Sequence, residues 1–237
     1  NRIISYLALA QIMIFGLIMI VCSYTAAALV SAPSLFFLTL LIAGLSVGPL
    51  EVAVNLEADR VEYGLQQRII NRSHAFWSLG FFTTCLSGAL MAQLGVPVVF
   101  HFAGFGLIIV ALTIFSFSGF TQAPPRPSAH TGTPKFVRPS AAIMVLVGLT
   151  LSAMLAEGAA IDWSVIYMRD IFATVPLING LALALTAFFQ FITRYFADHF
   201  VVQYGPHKVA KICLWNMLAG VILVAVAPAW PLALVGF

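Results

Sequence analysis

The sequence has 237 residues, of which 62% are hydrophobic and only 8% are charged, with a formal net charge of +3. Soluble domains carry about 25% charged residues, so this composition excludes a water-exposed globular surface and indicates an integral membrane protein. The small net charge does not indicate nucleic-acid binding. The three cysteines are far apart in the chain and predict neither a disulfide framework nor a metal site.

Seven apolar segments are long enough to cross a bilayer as helices, since a span needs about 20 apolar residues. In chain order they cover roughly residues 3–22, 34–56, 74–95, 98–118, 141–168, 175–197 and 207–228, and an eighth begins near Trp230. Gly95, Val96 and Pro97 predict a tight turn between the third and fourth segments. The sequence therefore predicts an all-α membrane protein.

The distribution of Lys and Arg predicts an orientation. Of the 11 basic residues, all except Arg169 fall on one side of the membrane if successive helices alternate in direction. Cytoplasmic loops carry an excess of Lys and Arg, so this side is expected to be cytoplasmic. The start of the sequence and the long loop over residues 119–139 are then in the cytoplasm.

Residues 119–139 are rich in Pro, Ser, Thr and basic residues, which predicts a flexible linker. The linker divides residues 1–118, with four helices, from residues 140–237, with three helices and the start of another. A long linker between two helical bundles is typical of transporters built from two related halves. The sequence does not begin with Met and ends inside an apolar run, so we interpret it as part of a longer protein.

One short motif matches a pattern that is typical of hydrolases, but its surroundings do not fit a hydrolase. Residues 44–48 match the G-x-S-x-G pattern around Ser46, which needs a strand-to-helix turn with His and Asp partners. Here the pattern lies inside an apolar helix, where small residues favour close helix packing. No convergent His, Asp or Ser groups at one depth are recognisable, so an enzyme is not expected.

Four stretches carry a resemblance to a known family. LEVAVN, residues 50–55, resembles a motif in the fourth helix of fucose-permease-type sugar–proton symporters, which belong to the major facilitator superfamily. The stretches that resemble related bacterial permeases are NRSHAFWSLGFF (71–82), AEGAAIDWSVIYMRD (156–170) and RYFADHFVVQYGPHKV (194–209). The resemblance implies the major facilitator fold of two pseudo-symmetric six-helix bundles, only partly covered by this chain.

The same resemblance assigns each part of the chain to the family's helices. Residues 1–118 would hold helices three to six of the N-terminal bundle, and residues 119–139 the cytoplasmic interdomain linker. Residues 140–237 would hold helices seven to nine and the start of ten of the C-terminal bundle.

Glu51 is the first candidate for substrate and proton binding. It lies in an apolar helix, about 9 Å from the cytoplasmic end of the predicted segment, where a carboxylate must face a cavity or a partner. The resemblance maps a Glu and an Asn of the family's motif to Glu51 and Asn55, which lie one turn apart. Pro49 predicts a kink beside them. The alternative is a structural Glu that is hydrogen-bonded to a neighbouring helix.

Glu157, Asp162 and Trp77 are the other candidates for the substrate or proton site. About 140° separates Glu157 from Asp162 around a helix, so the two cannot face one narrow cavity, and Asp162 would lie near its outer mouth. Trp77 predicts either a stacking platform for a sugar ring or an interface anchor. Its neighbours His74 and Ser78 favour a gating or structural role. For both carboxylates a purely structural role is the alternative.

Arg194, Asp198 and Gly205 match the Arg-x-x-x-Asp…Gly gating loop that the family has between its eighth and ninth helices. Arg194 and Asp198 are one turn apart and can pair along the helix. Arg60 belongs to a charged group at the cytoplasmic end of the second helix. That group predicts either an interdomain salt-bridge cluster or solvated surface charges.

The residues and the resemblance together predict a proton-coupled secondary transporter of a sugar or similar small polar solute that works by alternating access. We expect a monomer in the bacterial inner membrane, with a small-molecule substrate, lipid as its surroundings and the proton as coupling ion. No cofactor is expected. The alternative is a proton-driven efflux permease for drugs or metabolites. A seven-helix receptor fits less well, because such receptors keep the start of the chain outside.

Overall fold

The computed structural model describes residues 9–125, 127 and 139–237, and the regular structure within these ranges is helical. The eight helices of the described ranges are α1 Leu9–Ala27, α2 Pro33–Leu65, α3 Ile70–Gln93, α4 Val98–Phe117, α5 Ala141–Phe172, α6 Pro176–Tyr204, α7 Pro206–Val226 and α8 Trp230–Gly236. Seven of them, α1 to α7, are long and apolar enough to cross a membrane. The predicted helix count is therefore confirmed for this part of the chain.

Large apolar side chains cover the outward faces of these helices. On α4, for example, Phe100 is 71% exposed, Leu107 73% and Phe115 78%. Soluble proteins rarely expose contiguous apolar surface of this kind, whereas lipid chains are a matching apolar environment. The protein is thus a multi-pass membrane protein.

The helix α2 extends well beyond its apolar segment. The sequence predicts a span over residues 34–56, whereas the helix continues through Pro49 and on to Leu65. The polar turns after residue 56 contain mainly good helix formers and stay helical outside the hydrocarbon, because backbone hydrogen bonds do not need apolar side chains. The 14 residues from Glu51 to Leu65 correspond to about 21 Å. The predicted 9 Å refers to the end of the apolar segment, and the helix itself continues beyond that point.

Short connections join α2 to α3 and α3 to α4. Gln66 ends α2 with a positive φ of 53°. Glu62 Oε2 then accepts hydrogen bonds from the backbone N–H groups of Ile69, at 2.8 Å, and Ile70, at 3.1 Å, and so caps the start of α3. Gly95, with φ of 70°, makes the predicted tight turn between α3 and α4.

The first of two compact units contains α1, α2 and α4. Leu9, Ile12 and Met13 of α1 pack with Ala53 of α2 in its core. On its other side α1 meets α4, where Gly106 lies directly against Val21. Small residues let membrane helices approach closely, and this contact sets the spacing between α1 and α4.

Replacing Gly106 with alanine is expected to destabilise the protein, although alanine is the better helix former by about 1 kcal/mol. The added Cβ would overlap Cγ1 of Val21, and overpacking of this kind costs about 1–3 kcal/mol. Gly104→Ala is the matched control, because nothing lies within 4 Å of the Cβ position there. We expect a lower melting temperature in detergent for Gly106→Ala and an unchanged or slightly higher one for Gly104→Ala. Equal values would contradict the α1–α4 contact.

The second compact unit contains α3 and α5 to α8. The contacts between α3 and α6, in order along α3, are Asn71 with Asp198, Phe82 with Phe188, Ala89 with Gly180 and Gln93 with Leu177. Because the partners on α6 occur in reverse order, α3 and α6 lie antiparallel over most of their lengths. α5 packs on α6, and Met168, Ala182 and Ala233 form a buried core between α5, α6 and α8.

The predicted division of the chain at residues 119–139 stays a prediction about the two halves of a longer fold. Contacts group α3 with the second unit, although it precedes the predicted linker in the chain. Most of the linker, residues 126 and 128–138, lies outside the described residues, as do Arg2 and residues 3–8 of the first predicted segment.

Candidate functional site

A cluster of polar side chains connects α5 to α6 within their apolar length. Oε1 of Glu157 accepts a hydrogen bond from Gln190 Nε2 at 2.8 Å and another from Arg194 Nη2 at 3.2 Å. The contact with Arg194 is also an ion pair, whose side chains are 30% exposed for Arg194 and 37% exposed for Glu157. Gln190 and Arg194 are one turn apart on α6, so both reach the same carboxylate.

Arg194 extends the cluster to α3. Its Nη1 donates to Ser78 Oγ at 2.8 Å, and the Ser78 hydroxyl in turn donates to the carbonyl oxygen of His74 at 3.2 Å. Ser78 is fully buried. The guanidinium carbon lies 5.7 Å from the centroid of the Trp77 ring, which is within cation–π range. We call Trp77, Ser78, Glu157, Gln190 and Arg194 the Arg194 cluster.

The Arg194 cluster lies far from the ends of α5 and α6 that their short connecting loop joins. Glu157 precedes the end of α5 at Phe172 by 15 residues, and Arg194 follows the start of α6 at Pro176 by 18 residues. These separations correspond to about 22 Å for Glu157 and about 27 Å for Arg194. Both are measured from the helix ends that the short α5–α6 loop joins. The hydrocarbon core of a bilayer is about 30 Å thick. The pair therefore lies toward the opposite side of the hydrocarbon, still within the apolar segments of α5 and α6, where ionisable residues are rare and often functional.

The structure brings together four residues that the sequence singled out separately, namely Trp77, Ser78, Glu157 and Arg194. Gln190 is the member that sequence reasoning missed. It is an uncharged polar residue inside an apolar helix and lies one turn before Arg194. That spacing was the available signal, because residues four apart on a helix share a face.

The predicted gating residues have different partners from those expected along the helix. Arg194 and Asp198 do not pair with each other. Asp198 Oδ1 instead accepts a hydrogen bond from Asn71 Nδ2 of α3 at 2.8 Å, because the neighbouring helices present partners to each side chain. Gly205 separates α6 from α7 with a φ of 81°, in a region that favours glycine. The gating role of these residues stays a prediction.

Asp162 is exposed and lies outside the Arg194 cluster, as its angular separation from Glu157 led us to expect. Two residues on, Ser164 is fully buried and its hydroxyl has no hydrogen-bond partner in the described ranges. Ser164 lines a cavity of about 380 Å³ together with Tyr167 of α5 and Asn216 of α7. The walls of this cavity are otherwise mainly apolar.

Glu51 and Asn55 lie on an exposed face of α2 in the first compact unit. Neither has a hydrogen-bond or ion-pair partner within residues 9–125, 127 and 139–237. Gly44 and Gly48 share this face by helical periodicity, and a Cβ at either position would have nothing within 4 Å. The side of α2 that contains Ala53 packs against α1 instead. Both candidates therefore project from an open surface that is lined with small residues.

Arg60 contacts a residue of its own helix. Its Nη1 lies 3.7 Å from an oxygen of Glu57, three residues earlier. Glu57 is buried, and its Oε1 accepts a hydrogen bond from the backbone N–H of Ala123 at 2.6 Å. Glu57 thus ties the segment after α4 to the end of α2. The role of Arg60 in an interdomain gate stays a prediction.

Seven membrane-length helices with a charged cluster inside them define a multi-pass α-helical membrane protein. The chain is 28% identical over 217 residues to y4wD, an uncharacterized transporter of Sinorhizobium fredii, covering 89% of this chain and 56% of the relative. It is also 23% identical over 209 residues to an uncharacterized MFS-type transporter of Yersinia pestis, covering 88% and 54%. The chain spans about half the length of these curated relatives. No family model and no solved structure matches.

The second relative is named an MFS-type transporter, and this similarity agrees with the resemblance to the major facilitator superfamily. The predicted fold class, an all-α membrane protein of the major facilitator type, is confirmed by the helical architecture together with the relatives. Both relatives are named as transporters, which agrees with the expectation that the protein is not an enzyme. The fucose-permease branch and the assignment to helices three to ten stay predictions.

Proposed function

We propose that the full-length protein is a secondary active transporter that carries a sugar or a similar small polar solute together with protons. Its similarity to two transporters supports this function, as do its seven membrane-length helices. The observation that carries the proposal is the Glu157–Arg194 ion pair, which lies within the apolar segments of α5 and α6. Ionisable residues in such positions mark substrate and proton pathways.

In an alternating-access mechanism, the contacts between α3 and α6 would form a gate between the two bundles. In the proposed assignment, α3 belongs to the first bundle and α6 to the second, so the hydrogen bonds Ser78–Arg194 and Asn71–Asp198 connect the two bundles. These bonds break when the bundles separate at that side of the membrane. The side is cytoplasmic by the distribution of basic residues. Arg194 and Asp198 therefore close an inner gate, with Gly205 at the turn that follows α6, and Arg60 on α2 is a further gating candidate.

The carboxylates take the proton in this proposal. Glu51, on the open face of α2, binds and releases a proton and accepts a hydrogen bond from a solute hydroxyl, and Asn55 supplies a second polar contact. Protonation of Glu157 removes its charge and weakens its hold on Arg194. Asp162 lies toward the outer mouth of the pathway. The transporter works as a monomer in the bacterial inner membrane, and the proton is its coupling ion.

Proton influx on addition of a solute tests the proposed function. The natural full-length protein is reconstituted in liposomes that contain a pH-sensitive dye, and a panel of neutral and acidic sugars is added outside. We expect acidification with at least one sugar, in proportion to protein content, and none in protein-free liposomes. Absence of acidification with every sugar would contradict proton–sugar symport and favour the efflux alternative.

A further inference from the structure

We propose that the Arg194 cluster binds the carboxylate group of an acidic sugar, and that this binding requires protonation of Glu157. The proposal rests on the proposed transport function and names the substrate class of the same protein. Four features of the cluster support it: free donors on Arg194, the exposed Trp77 ring, an unsatisfied acceptor on Gln190, and the neutral charge of the Glu157–Arg194 pair.

The guanidinium of Arg194 has more N–H donors than its contacts in the cluster use. An arginine offers five N–H groups. In the cluster Nη1 donates a hydrogen bond to Ser78 Oγ, and Nη2 donates one to Glu157 Oε1. Nε has no hydrogen-bond partner within the part of the chain that the structure describes. With 30% of the side chain exposed, these donors can reach a ligand. The planar fork of arginine matches a carboxylate with two parallel hydrogen bonds.

Two neighbours of Arg194 suit the rest of a sugar. The Trp77 side chain is 56% exposed, and its ring offers a flat apolar face to the C–H face of a sugar ring. Oε1 of Gln190 is buried without a hydrogen-bond partner among the described residues, and an unsatisfied buried acceptor is costly. A sugar hydroxyl that donates to it would remove that cost. An apolar ring face, hydroxyl donors and one carboxylate together describe a sugar acid.

The charges explain why a proton must bind with the anion. With Glu157 ionised, the Glu157–Arg194 pair is neutral, and an incoming carboxylate would meet the negative charge of Glu157. With Glu157 protonated, the net charge is +1 and the anion restores neutrality. Anion and proton therefore strengthen each other's binding by the same factor. One proton and one anion then cross together with no net charge, which lowers the free energy needed to bring the anion into the membrane.

The other titratable groups near Glu157 do not replace its role. On α3, His74 supplies its backbone carbonyl to Ser78. On α6, Asp198 accepts a hydrogen bond from Asn71, one turn away from Arg194. On α5 itself, Asp162 is exposed and outside the cluster. Glu157 is thus the carboxylate in direct contact with the guanidinium.

Calorimetric titration tests the proposal with two matched pairs, D-glucuronate with D-glucose and D-galacturonate with D-galactose. Each pair differs by a carboxylate in place of a hydroxymethyl group. For the natural full-length protein in detergent, we expect an acid to bind at least about tenfold more tightly than its neutral partner. Binding at pH 6 should exceed binding at pH 8 by about tenfold or more, because proton and anion binding are linked. Buffers of different ionisation enthalpy should reveal about one proton taken up per anion.

Variants assign these effects to the cluster. Glu157→Gln imitates the protonated carboxyl, so acid binding should lose its pH dependence and its proton uptake. Arg194→Gln should weaken acid binding at least about tenfold, and Arg169→Gln, at an exposed arginine, should not. If Arg194→Gln fails to fold, the pH profile of Glu157→Gln decides alone. Proton uptake that persists in Glu157→Gln overturns the proposal.

Two outcomes separate this proposal from the proposed function. Tighter binding of the neutral sugars, or no binding of either acid, overturns the sugar-acid assignment but leaves the transport function standing if any sugar drives proton influx. Absence of proton influx with every solute overturns the transport function itself.

Discussion

Replacing Glu51 with glutamine is expected to reduce solute-driven proton influx at least about tenfold, to the level of protein-free liposomes. Glutamine keeps the size of the side chain and its hydrogen-bonding capacity, but it cannot bind and release a proton, so a proton pathway that needs this carboxyl is interrupted. Glu51 lies on the open face of α2 with no partner within the described ranges, so the substitution breaks no contact there. The acidification rate of liposomes with the full-length variant measures the effect.

Two further variants control for other effects of the Glu51 substitution. Glu51→Asp keeps a titratable carboxyl and should retain part of the influx. Asp170→Asn changes an exposed carboxylate at the end of α5, which pairs with Arg169 at 2.6 Å, and should leave the influx unchanged. Influx that survives in Glu51→Gln would make Glu51 structural and would leave Glu157, which takes up the proton on anion binding, as the only carrier of that proton.

Replacing Arg194 with glutamine is expected to lower the stability of the protein by about 1–3 kcal/mol. Breaking a buried ion pair costs about 3–5 kcal/mol because one charge is left unpaired. The pair is about one-third exposed, so solvent screening reduces that cost. The substitution also removes the hydrogen bond to Ser78. A fall of several degrees in the melting temperature in detergent would report the loss.

A double-mutant cycle with Glu157→Gln separates the pair from its surroundings. If the ion pair forms, the double variant should be more stable than the sum of the two single effects predicts. Arg169→Gln is the matched control, since its pair with Asp170 is 62% and 53% exposed and should contribute less than about 1 kcal/mol. Additive effects of Arg194→Gln and Glu157→Gln would contradict a direct interaction.

Most residues of the candidate site could be predicted individually from the sequence, but the contacts that bring them together could not. Glu157 stood out because charged side chains are rare inside apolar segments. Trp77 stood out as a large amphipathic side chain, and Arg194 through its match to the gating loop of the family. Gln190 did not stand out, because an uncharged polar residue is a weaker signal. The partners of Arg194 could not be predicted from the sequence either. Asp198 is near Arg194 in the chain, whereas its actual partners Glu157 and Ser78 are distant in the chain and close in space.

The class of protein, the seven spans found within the described residues and the turn at Gly95 followed from the sequence, because they depend on local properties. A run of about 20 apolar residues is stable in lipid as a helix regardless of its neighbours. The tertiary structure decided which helices meet and which faces they present. It places α3 against α6, turns Ser78 toward Arg194 and leaves Glu51 open. These features depend on the rotation and register of helices that are distant in sequence, where small residues such as Gly180 set the contact.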